Sequence, residues 1–261
     1  MKHTSIKIAF ILCCMLGVVS CKKSVQENDP EVDLKAQNRL SLGLSAEDIL
    51  SSDTFPSITI EFVYFGFYRP TDLAIANFRD FLNKHLNKQG GINIIETRVP
   101  EVQGAPFTTQ ELIEIEDENR TQYTSGDNIA VYVFFANGAS VNDTSTRITL
   151  GTAYLNTSIV IYEKTLQTFA ASNSSVELST IETTTLQHEF GHILGLVNLR
   201  DDDIHTAHED IGHPKHCIVE DCLMYFESNS RSKVLERFSG RAKTRQLDAL
   251  CIADIQAKGG L

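Results

Sequence analysis

From Pro56 onward, short apolar runs alternate with stretches in which apolar residues recur every three or four positions. Ser57–Phe65 is rich in β-branched and aromatic residues and predicts a strand. Thr71 can cap a helix carrying Leu73, Ala74, Phe78, Phe81, Leu82 and Leu86, which Gly90 and Gly91 stop. Ile92–Val99 predicts a second strand, and Thr108 with Glu111 has the capping-box pattern of a helix running to about Glu118. Ile129–Ala136 is almost wholly apolar, as a central strand covered on both faces must be. Arg147–Leu155 and Ser158–Tyr162 predict two further strands. Ser179 and Glu182 repeat the capping-box pattern before a helix whose apolar face is Ile181, Leu186, Phe190, Ile193 and Leu194, ended by Gly195. A closing helix is predicted over Thr244–Ala257. Strands alternating with helices point to an α/β domain.

Upstream of this domain the pattern changes. Lys2, His3 and Lys7 precede an apolar run, Ile8–Val19, too short to span a bilayer but suited to an export signal. The run closes on Val18-Val19-Ser20-Cys21, which resembles the bacterial lipobox; the resemblance implies cleavage before Cys21 and lipidation of its thiol. Residues 21–55 are polar and are expected to form a tether, with a short helix at Ala46–Leu50. The expected organisation is therefore a signal at 1–20, a lipidated tether at 21–55 and a domain at 56–261, placed at the bacterial cell envelope with a membrane anchor at Cys21. The formal net charge of −11 argues against a nucleic-acid partner.

The chemistry concentrates in one segment. His188-Glu189-Phe190-Gly191-His192 places two imidazoles one helical turn apart on one face, the spacing at which both reach one zinc ion while Glu189 reaches a water beside it. Six of the eight histidines (188, 192, 205, 208, 213 and 216) fall in this part of the chain. Gly195 follows, and further on comes His216-Cys217, then Cys222-Leu223-Met224-Tyr225. The run HEFGHILG with a downstream methionine resembles the metzincin zinc endopeptidases. The later run resembles the stretch between third ligand and Met-turn of matrix metalloproteinases and, in its cysteines, archaemetzincins.

The resemblance implies a mixed, mostly parallel sheet with an active-site helix, a Met-turn and a C-terminal helix. It implies Zn²⁺ held by His188, His192 and a third histidine, Glu189 as general base, Met224 as the floor of the site and a peptide or protein substrate lying along the strand near Arg147–Leu155. The usual third-ligand position holds Asn198, a poor zinc ligand beside imidazole. We therefore expect an insertion of 18 residues before the actual ligand, His216, with His208 and then Asn198 as alternatives. Archaemetzincins hold a second zinc with matching cysteines and a later CxxC pair. Only Cys251 follows here, so a Cys217–Cys222 disulfide is expected instead, and the insertion is expected to be a solvated acidic loop. The competing reading is a zinc-bearing envelope binding or accessory protein without peptidase activity, which the presence of Glu189 disfavours.

Overall fold

A computed structural model describes residues 33, 35–101, 103–200, 202–226, 229–241 and 243–261. The proposed signal and Cys21 lie outside them. Five strands, β1 (Ser57–Phe65), β2 (Gly91–Val99), β3 (Asn128–Phe135), β4 (Gly151–Leu155) and β5 (Ser158–Ile161), form one sheet in the order β2-β1-β3-β5-β4. The first four in that order pair in parallel, and β4 runs antiparallel to β5 at the sheet's edge. The β3 strand is central and buried along nearly its whole length, which is why its sequence lacks polar alternation. The sheet is thus mixed and mostly parallel, as expected.

The helices are α1 (Ala46–Leu50), α2 (Asp72–His85), α3 (Thr109–Asn119), α4 (Glu163–Ser172), α5 (Leu178–Ile193), α6 (Arg231–Phe238) and α7 (Ala249–Ala257). On one side of the sheet, Phe62 and Phe135 meet Phe78 of α2 and Phe190 of α5 in a core that fixes α5 against β4 and β5. A smaller cluster on the other side packs Leu112 and Ile115 of α3 beneath Val63, Phe65, Tyr132 and Phe134. The caps at Thr71 and Thr108 are formed as the sequence predicts, the latter as a full capping box.

Three expectations need correction. The compact unit begins at Asp33, not near Pro56. Ala46, Ile49 and Leu50 are fully buried, and Asn38, also buried, donates to Ala130 O and Thr124 Oγ1, so residues 33–55 are tied into the domain by packing and hydrogen bonds. Second, the Ser179–Glu182 capping box does not form; α5 starts at Leu178, and the buried Glu182 carboxylate instead accepts from the backbone N–H and hydroxyl of Thr71. Third, the predicted strand at Arg147–Leu155 is regular only from Gly151; its first part pairs with the segment before α6 through Ile148 N and Asn229 O.

Candidate active site

Helix α5 is buried over most of its length and delivers His188, Glu189 and His192 to one end of a cavity of about 420 Å³. His216 reaches the same place from the loop after the insertion. The three rings face one another with centroids 4.9 Å (188–192), 5.3 Å (188–216) and 5.1 Å (192–216) apart. One ligand nitrogen from each lies within 4.8 Å of the other two.

The tautomers follow from the backbone. Nδ1 of His188 lies 2.9 Å from Leu223 O, that of His192 3.2 Å from Leu196 O and that of His216 3.1 Å from Pro214 O. A carbonyl oxygen can only accept, so each Nδ1 carries the proton and each Nε2 keeps its lone pair. Burial lowers the pKa of all three, that of His192 to about 3, with the neighbouring imidazoles pushing His188 and His192 the same way. Three neutral rings presenting nitrogen lone pairs to a common centre are a donor set that zinc accepts.

Glu189 points toward the sheet edge, where its Oε2 accepts from Ala153 N of β4 at 2.9 Å. Burial pushes its carboxyl up to about 7, against that hydrogen bond and the charge of Arg237. The approach of helix and strand requires Gly151: a Cβ there would lie 2.7 Å from Glu189 Cγ. Beneath the histidines, Met224 is fully buried and its sulfur packs against Gly191, where a methyl group would overlap it. The cavity wall includes Ile148, Leu150, Tyr225, Val234 and Phe238. Of these, the contribution of α6 was not foreseen, because its polar sequence carries only a narrow apolar stripe.

Of the alternatives to His216, neither reaches this centre. Asn198, at φ +49°, donates from its backbone N to Asp203 Oδ2 and from Nδ2 to Thr206 O. His208 is buried elsewhere, with Nε2 3.0 Å from Asp254 Oδ2. The cysteines also depart from expectation: Cys217, Cys222 and Cys251 are three separate buried thiols, with no Cys217–Cys222 disulfide. Nor is the insertion merely a solvated acidic loop, since Asp203 and His208 are buried against α7.

No protein-family model matches the chain, and neither does any curated protein. Among solved structures, the crystal structure of archaemetzincin from Methanopyrus kandleri is similar, with 15% sequence identity and a TM-score of 0.50 over 78% of this chain and 96% of that one. The likeness shows a shared fold, which in this chain is a five-stranded, mostly parallel sheet with its helices.

Proposed function

We propose that the protein is a zinc-dependent endopeptidase acting on extended polypeptides. The observation that carries this reading is the convergence of three imidazoles, each fixed as the Nδ1–H tautomer, beside a buried carboxylate in an open cavity. His188, His192 and His216 would hold the metal. Zinc bound there would polarise the scissile carbonyl and acidify the attacking water. Because Glu189 Oε2 is engaged by Ala153, Oε1 is the oxygen that takes the water's proton and then passes it to the leaving amine. A carboxyl whose pKa lies near 7 suits both directions of that transfer. Strand β4 is the terminal strand of the sheet among the described residues, so an extended chain could dock along it as an added strand.

Incubation of the purified protein with casein and a mixed peptide library, with and without a chelator, tests the reading. Cleavage should need metal, and Glu189→Ala should keep zinc while losing activity by about 10²–10⁴-fold. Unchanged cleavage by Glu189→Ala, or none by the zinc-loaded protein, would overturn the assignment. We also propose, on the sequence pattern alone, that Cys21 is lipidated and anchors the protein at the cell envelope; palmitate labelling that persists in Cys21→Ser would refute this.

A further inference from the structure

We propose that the cationic segment from Arg231 to Arg245 recognises acidic polypeptide, so that the substrates of the histidine site carry aspartate or glutamate side chains beside the bond that is cut. The inference rests on the peptidase reading above and names the substrate class. In a chain of net charge −11, this segment holds six cations, Arg231, Lys233, Arg237, Arg241, Lys243 and Arg245, against one carboxylate, Glu236. That carboxylate is already taken, since Glu236 pairs with Lys233 at 2.7 Å.

The fold runs this segment along the wall of the cavity that the three histidines border. Arg237, on α6, lines that cavity, and its positive charge works against protonation of both His188 and Glu189. After α6 the chain turns at Gly240, whose φ of +68° suits glycine, and Gly240 N donates to Ser175 O at 2.8 Å. From there Arg241, Lys243 and Arg245 join Arg237 around a narrow crevice whose other walls are Thr180 and Thr184 of α5 and Phe238. Thr184, Arg237 and Phe238 line the crevice and the cavity alike, so the two adjoin. At the far end Leu223 N donates to Gln246 O at 2.8 Å, and the Arg245 guanidinium sits over the Tyr225 ring, 5.7 Å from its centroid. The segment is thus pinned at both ends before anything binds, which lowers the ordering cost of binding.

Opposing charge is scarce on this side of the molecule. Among the described residues the crevice wall holds no carboxylate, and the cavity wall holds only Glu189, with Lys215 as a second cation beside Arg237. Asp80 and Glu177 lie beyond Lys243, in a hollow of about 620 Å³ that Lys84 shares, so the charge there is mixed and the cationic excess is confined to the side of the histidines. Arg241 and Lys243 are exposed and form no ion pair among the described residues. A guanidinium takes a carboxylate through two parallel hydrogen bonds, and an ammonium attracts it as a point charge. The net charge of −11 opposes a long polyanion such as a nucleic acid, which would reach past the patch, whereas a short acidic run of polypeptide meets the patch alone. Exposed ion pairs are individually weak, so two or three of them should favour an acidic peptide by roughly tenfold.

Peptides that share one cleavable core provide the test, extended by glutamates on the amino side or on the carboxyl side of the scissile bond, each beside a glutamine-extended control. With the zinc-loaded full-length chain, one of the two glutamate extensions should raise kcat/KM by roughly tenfold over its control, mainly through KM, and the gain should shrink as salt is added. In the double variant Arg241→Glu, Lys243→Glu the ratio of glutamate to glutamine kcat/KM should fall to about one. Equal kcat/KM for glutamate and glutamine on both sides overturns the inference, and so does a preference that salt and the double variant leave intact. Fluorescence anisotropy of the labelled glutamate peptides on the wild type reads recognition without cleavage. If no peptide is cut but the glutamate peptide still binds more tightly than its control, the peptidase reading fails and the acidic-polypeptide surface stands. If peptides are cut without any acidic preference, the reverse holds. Tighter binding of a single-stranded oligonucleotide than of the glutamate peptide overturns the choice of polypeptide.

Discussion

The two clusters of metal-ligating side chains share a peptide bond, since His216 belongs to one and Cys217 to the other, yet their surroundings are opposite. The histidine cluster borders a cavity, with His188 and His216 only part-buried, and holds three nitrogen donors. The cysteine-rich cluster is sealed, with three thiols and one imidazole packed together. Three donors and an opening leave room for a substrate; a sealed cluster leaves room only for a structural role. On the proposed reading, His216 would serve chemistry while its neighbour Cys217 sits in the sealed core, so the packing around Cys217 also positions His216.

The strongest way to break this contrast is to exchange the deletions. His216→Ala should abolish peptidase activity and remove the metal that the three histidines would hold. His208→Ala should loosen the packing between the insertion and α7 and leave the three-histidine centre loadable. Metal content and casein cleavage measured on both variants check this. Loss of the same metal in both would show that the clusters are one cooperative unit.

Acid should separate the regions next. Burial keeps the histidines neutral in the folded, metal-free protein, with His192 at about 3, whereas in the unfolded chain they titrate near 6.5. The unfolded state therefore binds more protons below about pH 6.5, and stability falls as pH drops from there toward 3. At pH 5 His192 alone should cost about 2 kcal/mol relative to pH 7.5, with His188 adding in the same direction. Urea unfolding in chelator at the two pH values measures it, and His192→Asn should flatten the slope. An unaltered slope would place the acid-sensitive groups elsewhere.

The sequence made much of the open site legible and little of the sealed one, for a physical reason. His188, Glu189 and His192 are local: one helical turn decides their relation, so spacing alone predicts that they share a face. His216 could be placed by its distance from Met224. The pairing of His208 with Cys251 spans 43 residues and two elements, and no periodicity encodes it. The missing CxxC pair gave no sign that His208, from the insertion, lies against Cys217 and Cys251. The strands were legible from their β-branched and aromatic runs, and so was the short helix α1 at Ala46–Leu50; what the polar stretch around it hid is that Ala46, Ile49 and Leu50 are buried. Glu182 misled because a capping-box pattern and a buried carboxylate bound to Thr71 look alike in one dimension.

Gly191 tests how tightly the open site rests on what lies beneath. A methyl group there would overlap Met224 Sδ, and overpacking of this kind typically costs about 1–3 kcal/mol. Gly191→Ala should lower the unfolding free energy by that amount and weaken metal binding to the histidines. A combined Gly191→Ala, Met224→Ala variant should recover part of the loss, because the two sites occupy the same space.

Met224 joins the regions, and its smallest alteration is the most discriminating. Its backbone belongs to the sealed side, with its N–H donating to Cys222 Sγ and its carbonyl accepting from Cys217 N at 2.9 Å. Its side chain belongs to the open side, packed under Gly191 between the two helical histidines. Met224→Leu keeps every backbone interaction and nearly the same volume, but replaces an unbranched thioether with a branched side chain. Such exchanges usually cost less than about 1.5 kcal/mol. The expected result is a small loss of stability, a measurable fall in zinc affinity at the histidine cluster and no new exposure of the buried Cys217, Cys222 and Cys251 to a thiol reagent. Thiols that become reactive would mean that the side chain supports the sealed cluster too, and that the division between a chemical side and an architectural side does not run through this residue.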